Sequence, residues 1–287
     1  MSVNFLLYAV FISQIFIISY LLPLKLKMRA DKIMTNYPPE KYPKLYPLSY
    51  AEIVNKIHQL MLLTYAGLGI GILIVMHGLY FQTDEMLGWD SQSVIMIFYI
   101  IQVIPLAFLA LFGERYFKKM RSVNKTSIRT ARLAPRSITS YASKRLIGSA
   151  IIVYVLFVIL VAVISRYPFD GFAGYINVFG VTLLNGFFAL IIFKYVYGKK
   201  IDPHQSDEDR FKQVSRVVKL MLFSSIAATL SISIHFLLSA FDLRHLNDVV
   251  ASIYYQLIML VMIMTSIKDN ENFEVYKEAS EYKIQEQ

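Results

Sequence analysis

The sequence predicts an all-α integral membrane protein, a seven-helix transmembrane bundle with its N-terminus outside and its C-terminus inside. The first observation behind this fold class is composition: the 287 residues are 56% hydrophobic and 17% charged, whereas an ordinary soluble domain carries about 25% charged residues. The second is that uncharged residues are concentrated in stretches of about 20, the length that crosses a bilayer core. The third is a one-sided distribution of basic residues between those stretches. This pattern excludes a disordered chain, and the absence of cysteine excludes a disulfide-stapled scaffold.

The predicted spans contain no Asp or Glu. They cover residues 4–24, 59–81, 92–113, 147–165, 172–193, 217–240 and 249–267. Outer-membrane strands would alternate apolar and polar residues over segments of about ten. The continuous apolar run of residues 151–160 therefore favours helices. We expect one transmembrane domain, residues 1–267, followed by an acidic tail, residues 268–287.

The basic residues predict the orientation of the bundle. Of the 29 Lys and Arg residues, 27 lie in the segments 25–58, 114–146 and 194–219 or in the tail. Because basic residues are retained on the cytoplasmic side, these segments are predicted to face the cell interior. The first span lacks a cationic leader and a small-residue cleavage site, so we expect an uncleaved anchor helix. A bacterial cytoplasmic (inner) membrane is the default location.

After this initial anchor helix, the chain can be divided into three helical hairpins, formed by spans 2–3, 4–5 and 6–7. A proline and then a hydroxyl residue precede each hairpin. Ser49 with Glu52, and Ser206 with Asp209, fit capping boxes, so these entering helices are predicted to begin in water. The pattern suggests an internal repeat, as in many transporters. The alternative is that every loop entering a helix needs a cap and a basic flank.

Span 6 carries polar residues on one helical face. Ser224, Ser231 and His235 lie at helical spacing with Ala228 and Ser239. Small and hydroxyl residues on one stripe favour close helix packing. The alternative interpretation is a polar lining for a pathway or pocket.

Amide side chains occur in the returning helix of each hairpin, as Gln102, Asn185 and Gln256. Hydrogen bonds between helices explain them without a ligand, and the alternative is again a polar pathway or pocket. Pro105 is expected to kink span 3 near Gln102 and to release a backbone carbonyl.

Span 2 contains a G-x-x-x-G pair, Gly67 and Gly71, which predicts a close contact between this span and another helix. Local unwinding that exposes carbonyl oxygens to an ion is the alternative.

The loop 114–146 is strongly basic, and Arg129, Arg132 and Arg136 share one face if it is helical. The bilayer is one expected partner of the chain. The basic face is expected to contact anionic lipid headgroups in particular. No glycine loop that cradles phosphate and no base-stacking pattern is present, so nucleic acid is not an expected partner. The acidic tail is expected either to dock on the basic loops or to remain free.

No catalytic residues, metal site or cofactor are predicted. The spans contain no carboxylate for a proton-coupled pathway or an aspartyl protease, and no histidine pair has ligand spacing such as H-x-x-x-H. We therefore expect a non-catalytic sensor, scaffold or subunit of a membrane assembly, working with a protein partner or a second copy. The alternative is a facilitator or transporter of a small neutral or anionic solute, which would need a continuous polar cavity lined by Ser231 and His235.

Overall fold

The structure, a computed structural model, describes residues 5–81, 86–123, 136–266 and 272–277, and no β-strand occurs among them. Its main helices are α1 (Phe5–Asn36), α2 (Tyr50–Phe81), α3 (Ser91–Val123), α4 (Lys144–Ile164), α5 (Ile176–Tyr197), α6 (Asp207–Ala240) and α7 (Asn247–Ser266). Helices α1 to α6 are each long and apolar enough to cross a membrane. The chain is therefore a helical, multi-pass membrane protein.

Serine caps start two of the long helices, as predicted. The Ser49 hydroxyl accepts a hydrogen bond from the Glu52 N–H at 3.2 Å, ahead of α2. The Ser206 hydroxyl accepts one from the Asp209 N–H at 3.0 Å, ahead of α6. Acidic residues in the first turn of each helix also interact favourably with the helix dipole. Caps and charges together allow both helices to begin several residues before their apolar stretches.

The first helix is a core element rather than a peripheral anchor. In its most apolar stretch 44% of the residues are buried, compared with 11% in α5. Helix α1 packs against α2 and α7, and its Phe11 ring meets the Phe98 ring of α3 edge-on, with centroids 5.2 Å apart. The polar residues of the first span explain this position, because they find partners only inside the bundle.

Irregular backbone occurs in α1, in a stretch where the sequence did not predict it. Helix α3 continues through Pro105 without interruption. Helix α1 instead contains a π-helical segment, Ile15–Leu21, in which the Leu22 N–H bonds to the Ile17 carbonyl. Pro23 follows directly, and its missing N–H removes the α-helical bond to residue 19. The proline thereby favours a π-bulge immediately before it.

The helices form two groups joined by the contact between α6 and α7. The first group contains α1, α2, α3 and α7, and the second group contains α4, α5 and α6. Helices α2 and α3 pack together, whereas α4 and α5 pack mainly on α6. The predicted hairpin of spans 4–5 is therefore splayed, because each arm presents its packing face to α6. For example, the ring centroid of buried Phe157 in α4 lies 6.0 Å from the ring centroid of Phe236 in α6.

The connections gather at two ends of the bundle: the basic end, with the described parts of the segments 25–58, 114–146 and 194–219, and the acidic end, with Asp90, Asp170, Asp242 and Asp248. At the basic end, the Tyr116 hydroxyl of α3 donates to the Leu45 carbonyl, and Arg121 donates to the Ile201 carbonyl. At the acidic end, Arg244 donates to the Asp170 carbonyl at 3.0 Å. The segments predicted to share one side of the membrane thus meet at one end.

Candidate functional site

An amide network joins three helices of the first group. Gln14 of α1 donates to the Gln102 Oε1 of α3 at 2.9 Å, and Gln102 donates to the Ser19 hydroxyl at 2.9 Å. The Ser252 hydroxyl of α7 donates to the Gln14 Oε1 at 2.6 Å, and Gln256 donates to the Ser252 hydroxyl at 3.4 Å. All five side chains are buried. The network therefore satisfies polar groups that would be costly in lipid.

Gln102 and Gln256 thus hydrogen-bond between helices of the first group. Gln256 also donates to the Val10 carbonyl at 3.0 Å and accepts from the Ser13 hydroxyl at 2.9 Å. Neither amide lines the cavity described below.

Asn185 belongs to a second polar cluster, which joins α5 to α6. Its Oδ1 accepts from the Ser225 hydroxyl at 2.6 Å, and its Nδ2 donates to the Thr229 hydroxyl at 3.3 Å. Thr229 is 1% exposed. This cluster lies near the middle of the predicted spans 5 and 6.

A cavity of about 260 Å³ lies between the two helix groups. It is lined by Gln92, Leu184, Ala228, Ser231, Ile232, His235, Phe236, Ala251, Tyr254 and Tyr255. The His235 Nε2 lies 3.3 Å from the Gln92 Oε1, which accepts the hydrogen bond. Of the predicted pathway residues, Ser231 and His235 reach this cavity, whereas Ser224 is buried away from it.

The cavity occupies only one half of the bundle. Its α6 lining runs from Ala228, the middle of predicted span 6, towards the acidic end. Leu184 and Ala228 at its inner limit are direct chain neighbours of Asn185 and Thr229, which hydrogen-bond to each other. The Asn185 cluster therefore ties α5 to α6 at the depth where the cavity ends.

The predicted packing glycines lie at helix contacts. A Cβ on Gly71 would stand 2.6 Å from the Phe98 ring and 2.9 Å from the Ile15 side chain. A Cβ on Gly67 would stand 4.0 Å from the Ser19 hydroxyl. Helix α2 is regular through both positions, so no local unwinding exposes carbonyls there.

Arginines at the basic end surround the C-terminal end of α5. Arg210 donates to the Gly198 carbonyl at 2.6 Å, and exposed Arg136 donates to the Tyr197 carbonyl at 3.4 Å. Arg121 donates to the carbonyls of residues 200 and 201. Cations at this position satisfy carbonyls at the negative end of a helix dipole. Arg129 and Arg132 lie outside the described residues.

A segment of the acidic tail, residues 272–277, docks on the Tyr-Pro segment 37–49, here called the strap. The Phe273 ring stacks on Tyr37, with centroids 4.3 Å apart, and the Tyr42 hydroxyl donates to the Glu274 carboxylate at 3.0 Å. The Lys277 ammonium lies 5.4 Å from the Tyr42 ring centroid. The tail therefore contacts the strap, which is part of the basic segment 25–58, through ring stacking and a hydrogen bond as well as through charge.

The same tail segment also contacts the second group. The Tyr276 hydroxyl donates to the Asp202 carboxylate, and the Asn272 N–H donates to the Asp209 carboxylate at 3.3 Å. His204 lies beside Tyr276, with ring centroids 6.0 Å apart. Burial lowers the pKa of His204, although the nearby Asp202 acts in the opposite direction. The tail thus bridges the strap of the first group and the beginning of α6.

Several residues of these clusters were not singled out from the sequence. Gln14, Ser19 and Ser252 complete the amide network, Ser225 and Thr229 hold Asn185, and Gln92 bonds to His235. A signal was present in the spacing of Ser252 and Gln256, which are one helical turn apart. The pairing of Gln14 with Gln102, 88 residues away, had no local signal.

No protein-family model, curated protein or solved structure matches the chain.

Proposed function

We propose that the chain crosses the membrane seven times, with its N-terminus outside and its C-terminus inside, and acts as a non-catalytic sensor subunit. The seventh crossing is helix α7, which packs between α1, α3 and α6. The distribution of Lys and Arg supports the orientation. Reporter fusions at residues 40, 130 and 205 are expected to report a cytoplasmic position. An external position at any of them contradicts the orientation.

One observation carries the functional proposal: the cavity lies in the acidic half of the bundle, and its lining ends at mid-depth. Its lining residues come from both helix groups, so a ligand there would touch both. At the basic end, the tail segment bridges the same two groups. We propose that ligand binding in the cavity changes the packing of the groups, which alters the docking of the tail inside the cell.

The non-catalytic part of the proposal rests on how the polar side chains are used. The amides of Gln102, Asn185 and Gln256 are all engaged in hydrogen bonds between helices. Such bonds stabilise the bundle, each by about 0.6–2 kcal/mol, and leave these groups committed to packing.

A flux measurement tests the sensor against a transport function. Proteoliposomes with the intact protein are compared with Ser231→Leu/His235→Leu proteoliposomes, using small neutral and anionic solutes. We expect equal background uptake in both, because the Asn185 cluster ties α5 to α6 at the depth where the lining of the cavity ends. Faster uptake by the intact protein overturns the sensor proposal.

The second candidate is a facilitator of a small neutral or anionic solute. The observation favouring it is that Ser231 and His235 line the same cavity. Against it, most of the lining is apolar and the tightly bonded Asn185 cluster lies beyond the inner limit. A facilitator would have to separate Asn185 from Ser225 to complete a pathway.

We further propose a bacterial inner membrane as the location, with anionic lipid headgroups contacting the basic end. Exposed Arg136 supports the lipid contact, since one of its nitrogens bonds to the chain and the others can reach phosphate. Equal thermal stability of the intact protein in nanodiscs with and without anionic lipid would contradict the headgroup contact.

A partner protein or a second copy would receive the tail signal.

A further inference from the structure

The cavity between the two helix groups has an uncharged lining in which apolar side chains predominate. No Asp, Glu, Lys or Arg occurs among the described lining residues. The apolar part of the lining is formed by Leu184, Ala228, Ile232, Phe236 and Ala251. A charged group placed there would lose its hydration without gaining an opposite charge from the lining, and this transfer is strongly unfavourable. The lining therefore favours an uncharged ligand.

The volume of the cavity determines the size of the ligand. A dry apolar cavity of about 150 Å³ holds one benzene molecule, whereas this cavity has a volume of about 260 Å³. It thus has room for one aromatic ring with a short side chain. Phe236, Tyr254 and Tyr255 contribute rings to the lining, and such rings pack favourably against an aromatic ligand in stacked or edge-on geometry.

The hydroxyl of Ser231, a lining residue, has no hydrogen-bond partner within the described part of the chain. Other hydroxyls of α6 bond to the backbone one turn earlier. The Thr229 hydroxyl donates to the Ser225 carbonyl at 2.9 Å, and the Ser233 hydroxyl donates to the Thr229 carbonyl at 2.7 Å. A polar group in apolar surroundings is costly until it is bonded. A ligand that bonds to the Ser231 hydroxyl therefore gains affinity.

His235 lies one helical turn beyond Ser231, on the same face of α6, and also lines the cavity. Its Nε2 donates to the Gln92 Oε1 at 3.3 Å, and a neutral imidazole that donates from Nε2 keeps Nδ1 as an acceptor. Residues one turn apart have Cβ atoms about 5–6 Å apart. A ligand hydroxyl between the two side chains can thus accept from the serine and donate to the imidazole.

From this arrangement we infer that the cavity binds a small uncharged aromatic alcohol or phenol, whose hydroxyl lies between Ser231 and His235. The aromatic ring fills the apolar space beside Phe236 and Tyr254. A lipid acyl chain would leave the Ser231 hydroxyl without a partner, and water molecules would find too few polar partners on the apolar walls. The inference rests on the proposed sensor function and names the ligand class of its cavity.

Four compounds with the same ring test the ligand class. The full-length protein in phosphatidylcholine nanodiscs is titrated calorimetrically at pH 7.5 with 2-phenylethanol, ethylbenzene, phenethylamine and 3-phenylpropionate. Nanodiscs with the Ala228→Leu variant give the background from partition into lipid, because the larger side chain fills part of the cavity. Ala251→Leu fills it from α7 and replaces the first variant if thermal unfolding shows that its fold is lost. We expect saturable binding of 2-phenylethanol, about tenfold tighter than that of either charged compound.

Two serine variants locate the ligand hydroxyl. Ser231→Ala is expected to weaken 2-phenylethanol binding about fivefold, the effect of one neutral hydrogen bond, without weakening ethylbenzene binding. Ser233→Ala is the matched control, because Ser233 lies on the same helix, outside the cavity lining, and its hydroxyl is bonded to the Thr229 carbonyl. We expect the control to leave the affinities of both compounds unchanged.

Three results would contradict the inference. Tighter binding of either charged compound than of 2-phenylethanol overturns the uncharged ligand. Ethylbenzene binding as tight as that of the alcohol, with neither affected by Ser231→Ala, overturns the hydroxyl and assigns the cavity to an apolar occupant such as a lipid acyl chain. Equal heats for the intact protein and Ala228→Leu with all four compounds overturn the site itself.

The proposed function fails on different evidence. Saturable binding of 2-phenylethanol together with solute uptake by the intact protein retains this ligand site and contradicts the sensor. The absence of binding overturns the ligand class, and the flux comparison then decides between sensor and facilitator by itself.

Discussion

The two helix groups differ in how they bury polar and apolar surface. In the first group, α1 has 44% of its most apolar stretch buried and carries the centre of the amide network. In the second group, the corresponding fractions for α4 and α5 are 17% and 11%. Because lipid is as apolar as leucine, apolar surface alone does not drive helices together. The difference indicates that α1 lies inside the first group, here called the frame, and that α4 and α5 of the second group, here called the periphery, are held to the bundle mainly through α6.

The largest expected effect comes from a side chain added inside the first group. Gly71→Ile puts new atoms against Phe98 and Ile15, which are both buried, so we expect a loss of about 2–3 kcal/mol from overpacking. Gly69→Ile is the matched control, because a Cβ there has nothing within 4 Å. Thermal unfolding in detergent measures both. Equal destabilisation by the two variants would contradict the close contact at Gly71.

A smaller effect is expected when one amide is removed from each group. Gln14→Leu leaves the Gln102 Oε1 and the Ser252 hydroxyl without their partner, which we expect to cost about 1–2 kcal/mol. Asn185→Leu is expected to cost less than about 1 kcal/mol, because Thr229 also bonds to the Ser225 carbonyl. Ile12→Ala, an exposed site on α1, controls for general perturbation of that helix. A larger loss from Asn185→Leu than from Gln14→Leu would reverse the assignment of frame and periphery.

Local patterns predicted those parts of the molecule that depend on local physics. Apolar length and serine caps predicted the helices, since both act within a few residues. The central position of α1 could not be predicted, because it depends on pairing Gln14 with Gln102 and Ser252 across most of the chain. The π-helical segment before Pro23 was not predicted, although the sequence contains the proline that favours it.

The candidate site divides in the same way. Of the stripe predicted in span 6, Ala228, Ser231 and His235 line one cavity, whereas Ser224 and Ser239 do not. The partner residues Gln92 and Tyr254 come from helices whose rotation the sequence does not determine. The docking of the tail on the strap was likewise one of two open alternatives, because electrostatics alone does not specify the stacking of Phe273 on Tyr37.

The smallest expected effect is the release of the tail by acid, which tests the bridge between the groups. Burial lowers the pKa of His204 from its ordinary value of 6.5. Bonding to Lys277 and Tyr42 lowers the pKa of Glu274 from 4.5. A lowered folded-state pKa means that each group stabilises docking above its ordinary pKa and that this stabilisation is lost as the pH falls through the folded-state value. Docking should therefore weaken in two steps, first below about pH 6.5 and then below about pH 4.5.

The chain has no cysteine, so spin labels at Glu40→Cys and Val275→Cys report the separation of strap and tail without competing sites. We expect a short, narrow distance distribution at pH 7.5 that broadens as the pH falls. His204→Gln should remove the upper step and Glu274→Gln the lower one, because glutamine does not bind a proton in this pH range. A distribution that stays narrow to pH 4 in the unsubstituted background would mean that neither group contributes to docking. In that case the stacking of Phe273 on Tyr37 and the bond from Tyr276 to Asp202 would hold the tail in place without a contribution from either titrating group.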